Sequence, residues 1–99
     1  MTHRLTTAAE TQLDEIWLYI ARETGNLSIA DRTVDSITER FCLLARYPHL
    51  GRRRDHDLRS GLRSFPVGEF IVIYRTEGEE VLILSVLRGS RNIAALLDR

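Results

Sequence analysis

Phe70-Ile71-Val72-Ile73-Tyr74, then Thr76-Glu77-Gly78-Glu79, then Val81-Leu82-Ile83-Leu84-Ser85-Val86-Leu87 decide the fold of this chain. The first run is wholly apolar and rich in β-branched and aromatic residues. The last has Ser85 as its only polar member. Runs of this length without polar alternation read as strands buried on both faces. The four residues between them have the polarity and the glycine of a hairpin connection. Upstream, Leu62-Arg63-Ser64-Phe65 reads as a shorter strand stopped by Pro66, and Pro66-Val67-Gly68-Glu69 as the turn into Phe70. The result is a three-stranded antiparallel meander.

Further toward the N-terminus the apolar period changes from two to about 3.6. Ala9, Leu13, Ile16, Trp17 and Ile20 paint one face of a helix. Thr7-Ala8-Ala9-Glu10 has the form of a capping box at its start, and Gly25-Asn26 supplies the stop. Ser28 opens a second helix whose stripe is Ala30, Val34, Ile37, Phe41 and Leu44, ended by Tyr47-Pro48. Leu50 to Leu58 is polar, arginine-rich and aperiodic, as a loop is. Arg4 to Thr6 is a short edge strand, and Asn92 to Leu97 a short C-terminal helix. Residues 1–99 thus read as one α+β domain of order β-α-α-β-β-β, its N-terminal helical hairpin packed on a small antiparallel sheet. Trp17, Phe41, Phe65, Phe70 and Tyr74 are the large side chains available to close its core, and Cys42 is expected inside a helix face.

The 28% charged and 43% apolar shares exclude disorder and fibrous repeats. No run of about 18 apolar residues occurs to span a bilayer. The absence of a signal-like start and the single cysteine lead to the expectation of a cytoplasmic protein. Fourteen basic residues balance fourteen acidic ones, and every basic residue is arginine. Arginine suits planar, bidentate contact with carboxylate or phosphate. The charge is also polarised. Ala8 to Arg40 carries net −4, and Arg46 to Arg63 carries net +4.

Several blocks of the sequence resemble ParE-type toxins of the RelE/ParE superfamily. They are Leu5-Thr6-Thr7-Ala8-Ala9-Glu10 with Leu13-Asp14-Glu15-Ile16-Trp17, and Tyr47-Pro48-His49-Leu50-Gly51-Arg52. Gly61-Leu62-Arg63-Ser64-Phe65-Pro66-Val67-Gly68, Ile73-Tyr74-Arg75 and Val86-Leu87-Arg88-Gly89-Ser90-Arg91 follow in the same order. The resemblance implies the toxin of a bacterial type II toxin–antitoxin pair, with a ParD-like antitoxin as partner in a hetero-oligomer. Its ParE branch acts on DNA gyrase and blocks replication; its RelE branch cuts mRNA on the ribosome.

Cleaving RNA at a 2′-hydroxyl needs a base, an acid and cations on the phosphate. The resemblance places Ile71 about where the nuclease branch carries an arginine. Arg88 stands where a histidine is common, and arginine exchanges no proton near neutral pH. The tail Ile93-Ala94-Ala95-Leu96-Leu97 has no tyrosine or histidine. The expectation is a gyrase inhibitor without catalytic residues, cofactor or metal, and without sequence-specific contact to nucleic acid. The alternatives are a ribosome-dependent endoribonuclease, in which His56 would be the residual candidate for a general base, or a non-toxic remnant that only binds.

Arg63, Arg75, Arg88 and Arg91 are the candidate target-binding residues, on one sheet face or edge; the plainer reading is pairing with Glu69, Glu77, Glu79 or Glu80. Trp17 and Tyr19 are the candidate antitoxin anchors, with core packing the plainer role of Trp17. Arg52-Arg53-Arg54 reads as a solvated run, and His49, Asp55, His56 and Asp57 match no standard zinc spacing.

Overall fold

The computed structural model describes residues 2–89. Its elements are β1 (Thr2–Leu5), α1 (Thr7–Thr24), α2 (Leu27–Arg46), β2 (Arg52–Arg53), β3 (Arg63–Val67), β4 (Phe70–Glu77) and β5 (Glu80–Arg88). The expected C-terminal helix, Asn92 to Leu97, lies outside the described residues.

Thr6, not Thr7, caps α1. Its N–H continues the β1 ladder to the Ile83 carbonyl at 3.1 Å, which holds it extended at φ −72°, ψ 162°. Its Oγ1 accepts from Ala9 N at 3.1 Å and donates to the Leu84 carbonyl at 2.8 Å. Strand end and helix cap are therefore one residue. The third helical position becomes Ala9, so Glu10 closes no reciprocal box. Gly25 ends α1 at φ 63°, a left-handed geometry that side chains resist. Asn26 then caps α2, accepting from Ile29 N at 3.2 Å; the helix starts one residue before Ser28.

The sheet order is β1-β5-β4-β3-β2. β1 runs parallel to β5, and every other pair is antiparallel. The sheet is thus mixed rather than antiparallel, because the helical hairpin returns the chain so that the two outer segments lie side by side. β2 lies in the stretch expected as loop and pairs only Arg52 with Ser64 and Arg53 with Arg63. Pro66 does not stop β3 but lies within it, opposite Ile71. β2 ends before reaching it, so its missing donor costs no ladder bond on that side.

Both helices cover one sheet face. Leu13, Ile16, Ile37, Phe41 and Leu44 pack there against Val72, Tyr74, Val81, Ile83 and Val86. Phe65 is only partly buried against this core. Cys42 is exposed, since the inward stripe runs through Phe41 and the next residue turns about 100° away. The other sheet face holds a smaller cluster: buried Leu62 and Ile73, with Leu58, Ile71, Leu84 and Leu87 against them. A bulge in β5 shifts the register between Ile73 and Tyr74. Helix α1 serves the strand beside it, where Gln12 Oε1 accepts from Val86 N at 2.8 Å.

Candidate functional site

The three described arginines among those singled out in the sequence, Arg63, Arg75 and Arg88, do not form one cluster. Arg63 pairs with Tyr74, so its side chain shares the helix-covered side with that residue. It is half-buried at the end of the sheet. Its Nη1 donates to the Gly51 carbonyl at 2.9 Å and its Nη2 meets His49 Nδ1 at 3.2 Å. Arginine can only donate, so Nδ1 is the acceptor in this contact. Arg75 follows Tyr74 and points to the opposite face. It is exposed and pairs with Glu77 at 3.1 Å.

Arg88 stands opposite Phe70, four residues along β4 from the partner of Arg63. That is roughly 13 Å at about 3.3 Å per residue. Its guanidinium carbon lies 4.3 Å from the centre of the Tyr19 ring, and Nη2 reaches Glu69 at 3.4 Å. Arg91 lies outside the described residues. A shallow groove of about 250 Å³ runs beside the Arg88–Tyr19 stack, with Ile16, Phe70, Val86 and Leu87 in its walls.

Tyr19 is 41% exposed, which leaves ring area open to a partner. Trp17 is half-buried, outside the main core cluster, and its Nε1–H donates to Asp31 Oδ1 at 2.8 Å. That bond clips α1 to α2. Two positions apart on a helix, Trp17 and Tyr19 point about 200° apart, so they do not form one anchor patch.

The Arg52-Arg53-Arg54 run is not simply solvated. Arg54 donates from Nε to both carboxylate oxygens of Asp57 and from Nη1 to Ser64 Oγ at 3.0 Å. Arg53 Nε pairs with Asp55 Oδ2 at 2.8 Å, and Asp55 Oδ1 accepts from Gly61 N at 2.7 Å. The Gly61 N–H and Arg53 hold Asp55 below the usual carboxylate range. Arg54 does the same for Asp57. Sequence reasoning missed this knot, although Arg-Arg-Asp-x-Asp is the signal that could have shown it. Among the described residues no group of His, Cys, Asp and Glu is placed to hold a metal. No described helix is long and apolar enough to cross a membrane.

Two helices on a mixed sheet, with cations at both ends, can grip another macromolecule. A family model described as the ParE toxin of the type II toxin-antitoxin system parDE matches residues 4–93. The chain belongs to the ParE toxin family. It is therefore the toxin of a type II toxin–antitoxin system. Toxin ParE3 of Caulobacter vibrioides is 39% identical to this ParE toxin over 87 residues, 88% of this chain and 85% of that one. Toxin ParE1 of the same organism is 35% identical over 97 residues, 96% of each chain. A solved chain of the chromosomal ParDE system from P. aeruginosa superposes with a TM-score of 0.79 at 25% identity, covering 91% of this chain and 97% of that one. The toxin–antitoxin complex RelBE2 from Mycobacterium tuberculosis shares the fold, with a TM-score of 0.67 at 24% identity over 88% of this chain and 95% of that one. The α+β RelE/ParE fold expected of the ParE toxin is the one found.

Proposed function

We propose that this toxin stops replication by binding DNA gyrase, and that a ParD-like antitoxin holds it inactive in a hetero-oligomer. The observation that carries the reading is the surroundings of Ile71. By resemblance this is where the nuclease branch carries an arginine. Here Ile71 pairs with Pro66 on one side and Leu87 on the other, with Ile73 fully buried nearby. None of these groups transfers a proton or stabilises a phosphorane. Arg88, which stands where a histidine would serve the nucleases, lies over Tyr19 on the helix side. What supports an antitoxin partner is the family itself and the ParDE system of the solved relative.

The test sets two assays side by side on the purified toxin. Gyrase supercoiling should fall with added toxin and recover with the cognate antitoxin, while mRNA programmed on ribosomes stays intact. Cut mRNA with undisturbed supercoiling would instead establish the endoribonuclease reading. Neither effect, with normal growth on expression, would establish the non-toxic remnant.

A further inference from the structure

We infer that the edge of the sheet between β2 and β3 carries a phosphate-binding pocket, built by Arg53 and Arg63 and independent of the gyrase reading. The two arginines are direct cross-strand partners. Like charges placed so oppose one another and weaken a strand pair. The pair therefore asks for a counter-charge.

Asp55 supplies only half of it. Its Oδ2 takes Arg53 Nε and its Oδ1 is occupied by Gly61 N. Among the described residues, the acceptors that anchor Arg63 are the Gly51 and His49 carbonyls and the His49 ring. Its side chain is thus already ordered, and among the described residues its charge meets no carboxylate. A recess of about 240 Å³ is lined by both arginines and by Asp55. His49, Ser60 and Thr76 also line it.

Two guanidinium groups with hydroxyl donors around them exceed what the two oxygens of a carboxylate can accept. They match a tetrahedral anion with three or four oxygens and more than one negative charge. The net +4 of residues 46–63 extends the same attraction over the surrounding surface. A free phosphate presents that group in full; the phosphodiester of a nucleic-acid backbone presents a singly charged form with two free oxygens, repeated along the strand. The contact reads charge and shape, not bases.

The experiment is a titration of the ¹⁵N-labelled full chain with inorganic phosphate, and separately with a short DNA duplex of mixed sequence. Phosphate should move the amide signals of Ser60, Gly61 and Arg63 and the Nε signals of Arg53 and Arg63, saturating in the millimolar range. Arg63→Gln should weaken binding roughly tenfold or more. Arg53→Gln, at an exposed position outside the core, should weaken it as well. Arg75→Gln should leave it unchanged. Duplex that moves the same signals at far lower concentration identifies a nucleic-acid backbone as the source. Duplex no stronger than free phosphate identifies a small anion. No saturable shift at these residues, or shifts that survive both arginine variants, would overturn the assignment.

Discussion

The Tyr74 hydroxyl accepts the Gly51 N–H at 2.7 Å and donates to the Pro48 carbonyl at 2.9 Å. One buried phenol on the middle strand thereby fixes the segment leaving α2. The same Gly51 gives its carbonyl to Arg63, so the seat of a surface cation depends on a core tyrosine. Tyr74→Phe should leave two loop groups without their partner and cost about 1–3 kcal/mol. Gly51→Ala should cost more, because a Cβ there would lie 2.5 Å from the Tyr74 hydroxyl and 2.9 Å from the Ser64 carbonyl. Urea midpoints of both variants, at unchanged slope, check the order.

Burial pushes the Tyr74 phenol above its ordinary 10.0, outweighing the lowering by the Gly51 N–H and by Arg63. An acid whose folded pKa is raised holds its proton longer in the folded chain than in the unfolded one. Its contribution is complete below about pH 10 and is lost as pH rises toward the folded value. Stability should therefore drop above pH 10. The drop should be smaller in Tyr74→Phe, as thermal melts across that range would read.

Acid acts on a different part of the molecule. Asp55 is lowered first by the Gly61 N–H and then by Arg53, and Asp57 first by Arg54. Carboxylates with depressed folded values stabilise above the ordinary 3.8 and lose that effect as pH falls below it. The loop between β2 and β3 should loosen below about pH 4 while the helical core persists. Hydrogen exchange at Gly61 N, compared with core amides, would detect it. Exchange that rises equally everywhere would refute a local knot.

The central hairpin, both helix stripes and the stop at Gly25 were legible because each is a local pattern in side-chain polarity or backbone freedom. The parallel pairing of β1 was not. Four residues carry no record of a partner, Ile83, that lies nearly eighty positions away. Thr6 and Thr7 differ as caps only through the ladder bond to Ile83, which no local rule contains. The arginines were legible as cations but not as neighbours. Strand alternation sends Arg63 and Arg75 to opposite faces, and the length of β4 separates Arg63 from Arg88. The bond from Trp17 to Asp31 joins two helices at positions fixed only by their packing.

That bond makes the one tryptophan a reporter. Asp31→Ala should change stability by about 1 kcal/mol, the scale of one partly exposed hydrogen bond, and shift Trp17 emission as the indole N–H turns to water. If the antitoxin docks across α1 and α2, it should protect Trp17 from quenching by iodide or acrylamide. Unchanged quenching in a stable complex would remove Trp17 from the antitoxin surface.

Arg88 separates target binding from folding. Its guanidinium is about half exposed, stacked on Tyr19 and bonded to Glu69 at the surface. Exposed ion pairs and cation–π contacts each contribute little to stability. Arg88→Gln should therefore move the melting midpoint by only a few degrees. If the stacked cation grips the target, growth arrest on expression should weaken far more than that loss of stability explains. Glu69→Gln removes the carboxylate but keeps the cation and its stack, and should preserve or raise toxicity. Full arrest by Arg88→Gln at equal protein level would show that the target contact lies elsewhere on the molecule.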